Sequence, residues 1–298
     1  MSALAIPATE SGTPVGYVRG GLPADNVVWA ADADGALSSQ WASGATADCI
    51  DVPGNTGLAT TDPAWARTTR MAQVTSPRPL TGTKCWQMTI VDGDADIFSV
   101  DAQRSELGQN SPPRPMPDGI DRQMHAGQHR FIAIPLYIPS AFDSGDWCTF
   151  NQNKGQGAAG NGPLSLGFWR GRVLLEKSNS QGTTDSGLTN VFDSRTAVGR
   201  DAWLKLLIEV FWSEGSDGYY AFYGDLQDGG GFRELVSRTD GWTLKYGPSG
   251  RPDSSATPAT RVGIYRATIR GTHSVYFGRV CNAYTREAAT VTAFGASL

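Results

Sequence analysis

Short apolar runs alternate along the chain with clusters of Gly, Pro, Ser, Asn and Asp, and almost nowhere does the pattern repeat at the helical period. Lys84–Val91, Ile97–Leu107, His129–Pro139, Trp147–Gln152, Leu164–Trp169 and Arg172–Glu176 read as strands, rich in β-branched and aromatic residues and bounded by turn formers. Arg170-Gly171 between the last two predicts a two-residue hairpin. Trp203–Trp212 is long enough for a helix, but it ends in Val-Phe-Trp and runs into Gly-Ser-Asp-Gly. A long strand is expected there, paired across the turn with Tyr219–Asp225. Arg261–Ile269 and Ser274–Asn282, joined by Arg270-Gly271-Thr272, are the last predicted strands. Residues 36–85 are rich in Ser, Gly, Ala, Thr, Asp and Pro and predict loops and short strands. Many strands separated by Gly and Pro turns predict an all-β fold, a two-sheet β-sandwich or jelly roll. The expected organisation is one jelly-roll domain over 36–298, preceded by an N-terminal arm or docking segment over 1–35.

Composition narrows the function classes. Charged residues are 18% of the 298, and Lys+Arg 25 against Asp+Glu 29 leaves −4. With nine Trp, nine Tyr and eleven Phe, this excludes a disordered chain, a coiled coil and a generally basic nucleic-acid binder. No apolar run reaches 18 residues, so no membrane-inserting helix is expected. Cysteines stand at 49, 85, 148 and 281 without CxxC spacing. That argues against a zinc or redox motif and leaves either four free thiols or one disulfide such as Cys49–Cys85. The start, MSALAIPATESGTPVG, has neither a basic n-region nor an apolar h-region. The expectation is a cytoplasmic product that reaches extracellular material after cell lysis, for example in a virus particle.

Four short segments carry candidate chemistry. In Gln103-Arg104-Ser105-Glu106-Leu107, Arg104 and Glu106 are two apart and share a strand face, so a guanidinium beside a carboxylate can still present donors to an anionic sugar. In Phe150-Asn151-Gln152-Asn153-Lys154, Gln152 and Lys154 again share a face and suit a carboxylate or hydroxyl ligand. In Arg261-Val262-Gly263-Ile264-Tyr265, Gly263 leaves room between Arg261 and Tyr265, and a Tyr beside a cation can act as acid or base. Asp92-Gly93-Asp94-Ala95-Asp96 spaces carboxylates for a structural Ca²⁺ but lacks the rest of an EF-hand loop; no other cofactor is expected. Each segment also has a plainer reading: a surface ion pair, a polar strand end, a Tyr packed across the sheet, a solvated turn.

The order of these segments resembles a family. QRSEL precedes FIAIPLYIPS, then WCTFNQNKG, the Trp203–Trp212 strand, RVGIYRA and HSVYFGRV. Over roughly residues 84–282 this is similar to the polysaccharide lyases of the heparin-lyase-I-like type, related in fold to the jelly-roll alginate and glucuronan lyases. The resemblance implies a concanavalin A-like jelly roll that cleaves uronate polysaccharides by β-elimination. It implies that Arg104, held by Glu106, and Gln152 meet the sugar carboxylate, that Tyr265 exchanges a proton with the sugar, and that Arg261 stands where the family often has Lys. Lys154 stands where related lyases often have His and is the second catalytic candidate beside Tyr265, although it holds its proton more firmly than an imidazole. Of the histidines, His129 falls at a strand start and His273 in a turn, and His125 is the third. Gly278 precedes Arg279 where the family often has Asp. Two function classes follow: a lyase acting on an acidic cell-surface or cell-wall polysaccharide, or a non-catalytic carbohydrate-binding jelly roll. Either fits a bacteriophage tail or virion setting, with virion proteins and further copies of the chain as partners.

Overall fold

A computed structural model of the chain describes residues 26–31, 33–34, 52–53, 70–92, 94–95, 102–108, 123–155, 161–182, 187–246 and 257–298. The strands in chain order are β1 (Val27–Ala31), β2 (Val52–Pro53), β3 (Met71–Val74), β4 (Cys85–Ile90), β5 (Asp94–Ala95), β6 (Ala102–Gly108), β7 (His129–Tyr137), β8 (Cys148–Gly155) and β9 (Leu164–Trp169). They continue as β10 (Arg172–Ser178), β11 (Leu188–Asp193), β12 (Trp203–Phe211), β13 (Tyr219–Asp225), β14 (Arg233–Asp240), β15 (Pro258–Ala267), β16 (His273–Phe277) and β17 (Val280–Ala283), and the chain closes with helix α1 (Arg286–Phe294).

Alternation of apolar and polar positions builds two antiparallel sheets. One has six strands in the order β11-β10-β9-β8-β15-β6. The other has nine, ordered β14-β13-β12-β7-β16-β4-β3, with β17 pairing both β7 and β1. Between them lies one apolar core, in which Leu107, Phe150, Leu166, Phe168, Leu175, Val262 and Ile264 of the six-stranded sheet join Trp86, Ile132, Ile134, Leu136, Ile208 and Phe277 of the other. The chain is thus an all-β, two-sheet jelly-roll sandwich.

The predicted strands are present among the described residues, 97–101 of the Ile97–Leu107 run lying outside them, with three differences of detail. The expected Ser274–Asn282 strand is two, β16 and β17, collinear along one edge of β7. The break falls at Gly278, whose N–H donates to the Pro135 carbonyl at 3.0 Å. Pro135 has no N–H to return, and a Cβ on Gly278 would lie 2.9 Å from the Pro135 Cβ. Second, β15 and β16 belong to different sheets, so Arg270-Gly271-Thr272 lies on a crossover between layers. Third, α1 was not legible from periodicity. It is capped instead, by Thr285, whose hydroxyl accepts from the Ala288 N–H, and by left-handed Gly295 at φ 76°. Its buried Ala288, Ala289, Ala293 and Phe294 pack on Phe131, Ala133 and Leu207 on the outer side of the nine-stranded sheet.

Arg170 (φ 51°) and Gly171 (φ 83°) form the β9–β10 turn, the positive-φ pair of a type I′ hairpin. Of the expected N-terminal arm, residues 1–25 lie outside the described ones, and Val27–Ala31 pairs with Val280–Ala283. Cys85, Cys148 and Cys281 are free and buried, and Cys49 lies outside the described residues. No helix is long and apolar enough to cross a membrane among the described residues.

Candidate carbohydrate site on the six-stranded sheet

Alternation on β6 divides QRSEL between two layers. Gln103 turns inward, where its amide oxygen accepts from Arg266 Nε and Nη2 at 3.2 and 3.1 Å. Ser105 and Leu107 are also buried on that side. Arg104 and Glu106 turn to the outer face, where register sets Arg104 opposite Tyr265 and Glu106 opposite Gly263 of β15. The Arg104 guanidinium lies over the Tyr265 ring at 4.1 Å, and its Nε is 3.5 Å from the Glu106 carboxylate. This is a buried pair, with side chains 10% and 1% exposed, and not the surface ion pair of the plainer reading. Among the described residues neither Glu106 oxygen accepts a hydrogen bond, so Arg104 is what balances its charge. Gly263 makes this approach possible: a Cβ there, at φ 157°, would drive into the Ser105 carbonyl and come 2.9 Å from Glu106 Cγ.

Two rows of side chains cross this face. One runs Leu174, Gly167, Thr149, Tyr265, Arg104; the next runs Glu176, Ser165, Gln152, Arg261, Gly108. Irregularities between Thr149 and Asn151, and between Val262 and Tyr265, spread the rows apart. An extra residue in one strand re-aims side chains in this way. Here it turns Asn151 to the core side, where its amide donates to the Arg261 carbonyl at 2.7 Å and its oxygen accepts from Asn153 at 3.3 Å.

The six residues singled out from the sequence therefore share one sheet face but not one point. Arg104, Glu106 and Tyr265 form a contacting group. Gln152 and Arg261 face each other four residues along β15 from Tyr265, beyond the Glu106–Gly263 pair. Lys154 stands opposite Ala259, six residues from Tyr265, or about 20 Å along the strand. The histidines lie elsewhere. His129 bonds Glu209 at 3.0 Å on the nine-stranded sheet, His273 Nε2 meets the Arg270 carbonyl, and His125 sits in the turn closed by Gln128. Of the carboxylate run 92–96, only Asp92 and the strand Asp94–Ala95 are described, and no group of three or more metal-ligating side chains occurs among the described residues.

Beyond Tyr265 the face opens into a pocket of about 500 Å³, walled by Trp147, Trp169, Leu174 and Glu176. Trp147 is exposed and meets Tyr265 edge-on, with centroids 4.8 Å apart. The Glu176 carboxyl lies across Gly167, where a Cβ would be 2.7 Å from its Cδ, and burial pushes it up to about 7. Neither residue was singled out from the sequence. The readable signal was the outward position shared by Leu174 and Glu176 in Val-Leu-Leu-Glu, but which sheet face holds the site is not written in one strand.

The structure is an antiparallel jelly roll with a cationic and aromatic strip on one sheet. A sequence model of the polysaccharide lyase family matches residues 37–280, and the chain belongs to that family. An endo-β-1,4-glucuronan lyase from the fungus Trichoderma reesei has a similar structure, with TM-score 0.51, 14% identity, 74% of this chain and 88% of that one covered. An alginate lyase from Aplysia kurodai aligns with TM-score 0.48 and 12% identity over 72% and 87% of the two chains, and one from Chlorella virus with 0.47 and 11% over 72% and 89%. No curated protein matches the sequence.

Proposed function

We propose that this protein is a lyase of the heparin-lyase-I-like type that binds a uronate-containing acidic polysaccharide and cleaves it by β-elimination. The observation that carries this reading is the Arg104 guanidinium, paired with Glu106 and lying over Tyr265, with Gln152 and Arg261 further along the same face. Arg104 and Arg261 offset the charge of the uronate carboxylate and the Gln152 amide donates to it, which lowers the cost of charge developing as C5 loses its proton. Acting as the phenolate, Tyr265 takes that proton, the C5–H electron pair forms the C4=C5 double bond, the C4–O4 bond breaks with its electron pair on O4, and the phenol so formed gives the proton to O4, which restores the phenolate. Lys154 of β8, opposite Ala259 of β15, meets a carboxylate or hydroxyl on the next part of the polymer.

Absorbance near 235 nm from the unsaturated product tests this on a panel of uronate polymers, with Tyr265→Phe alongside. Product from the parent and none from the variant supports the reading. Glycan binding without product from any polymer would leave a non-catalytic receptor-binding jelly roll instead. The setting we propose is a virion or tail protein that assembles through its Gly-, Ala- and Thr-rich N-terminal part. Equal mass per particle for the full chain and for one lacking residues 1–25, by light scattering, refutes that assembly.

A further inference from the structure

Tyr265 stands on a boundary. On one side lies the cationic strip of Arg104 and Arg261; on the other lies the pocket with Trp147 and Trp169 on its walls and Glu176 over Gly167. The residues that line this pocket include two acids, Glu176 and Asp146, and no Lys, Arg or His among the described residues. The other neighbours of Glu176 do not change its charge balance. Ser165 and Gly167 on β9, Thr149 on β8 and Asn190 on β11 are uncharged. On its own strand, Arg172 is held by Asp193 at 2.6 Å and, with Arg170 of the turn, lies over the Trp169 ring at 4.5 and 4.7 Å, while Lys177 lies over the Trp242 ring at 3.3 Å. Burial alone acts on the Glu176 carboxyl, with no opposing charge or hydrogen bond among the described residues. Gly167 and Tyr265 are two strand spacings apart, about 10 Å. Glu176 and Tyr265 line the same pocket, so a sugar seated there beside Tyr265 faces the Glu176 carboxyl.

We propose that this pocket is a subsite for an uncharged sugar, with Glu176 as the residue that excludes a second carboxylate or a sulfate. The proposal rests on the lyase reading for its polarity. The uronate that loses its C5 proton lies on the Arg104 side, and the sugar that departs with O4 lies in the pocket. The indole of Trp147 offers an apolar platform for a sugar ring, and the carboxyl exchanges hydrogen bonds with hydroxyl or acetamido groups. A second anionic sugar meets like charge at Glu176, and the nearest guanidiniums, Arg104 over Tyr265 and Arg170 and Arg172 over Trp169, are engaged on those rings outside the lining. Because burial pushes Glu176 up to about 7, the exclusion is strongest at pH 8, where the group is charged, and relaxes at pH 6. The substrate class is thus a polymer in which uronate alternates with an uncharged sugar, in contrast to a homopolymer of uronate.

The test is binding of size-matched oligosaccharides, read by tryptophan fluorescence at pH 6 and pH 8, with 235 nm product as a separate readout. The probes are hyaluronan, in which each uronate O4 carries an uncharged N-acetylhexosamine, and alginate, glucuronan and heparin, in which that sugar is charged. The expected result is tighter binding of hyaluronan at pH 8, with the preference shrinking about tenfold in Glu176→Gln and reversing toward the polyuronates in Glu176→Lys. Equal or tighter binding of alginate or glucuronan by the parent at pH 8 overturns the proposal, as does an unchanged preference in Glu176→Gln. The preference without any product defeats the lyase reading but supports the subsite. No binding of any probe defeats both.

Discussion

The Arg104–Glu106 pair allows the sharpest test of how this site is held together. At 3.5 Å and an effective dielectric of about 20, the Coulomb attraction is about 5 kcal/mol before desolvation. Both side chains are buried, so desolvation takes back much of that. Removing one partner leaves a buried charge uncompensated, at a cost of about 3–5 kcal/mol, whereas removing both is often close to neutral. Arg104→Met is expected to cost about 3 kcal/mol, because it strands a carboxylate that accepts no hydrogen bond among the described residues. Glu106→Gln is expected to cost less, about 2 kcal/mol, because Arg104 keeps the Tyr265 ring. The double variant is expected to lie within about 2 kcal/mol of the parent, a coupling near 3 kcal/mol. Urea unfolding of all four proteins at pH 7 measures this cycle. If the double variant loses the sum of the two single losses, the pair is not the electrostatic unit described, and the anchoring of Arg104 over Tyr265 has another cause.

Gly263→Ala forces a methyl group toward the Ser105 carbonyl and Glu106 and is expected to cost about 2–4 kcal/mol in urea unfolding; a loss under about 0.5 kcal/mol would show that β6 and β15 separate freely. Glu176 is raised in the fold from 4.5 to about 7, so between those values the folded protein holds a proton that the unfolded chain releases. Stability is therefore expected to fall by up to about 3 kcal/mol as pH rises from 4.5 past 7. Glu176→Gln is expected to remove that fall, and matching urea midpoints of parent and variant at pH 5 and pH 8 would refute the assignment. Burial pushes the thiols of Cys85 up to about 11 and Cys281 up to about 12, and raises Cys148 as well. Maleimide labelling mapped by peptide is expected to reach all three only on unfolding; modification of Cys148 in folded protein at pH 8 contradicts the buried assignment.

Local signals determined much of this protein. Alternation, turn residues and β-branched runs are properties of a few neighbouring positions, so the strands His129–Tyr137, Trp203–Phe211 and Tyr219–Asp225 and the Arg170-Gly171 turn were legible in the chain alone. The i, i+2 rule also put Arg104 with Glu106, and Arg261 with Tyr265, on common faces, and the order of motifs pointed to the lyase family. Pairing between distant strands decided the rest. Only the β6–β15–β8 register lays Arg104 on Tyr265 and carries Lys154 away from it, because a strand's partner and its irregularities depend on contacts far apart in sequence. Burial of the Arg104–Glu106 pair, the split of Ser274–Asn282 at Pro135, and the meeting of Glu176, Trp147 and Tyr265 around one pocket have the same origin. A carboxyl's environment is set by what lies above and beside it in space, and the sequence around Glu176 names none of those neighbours.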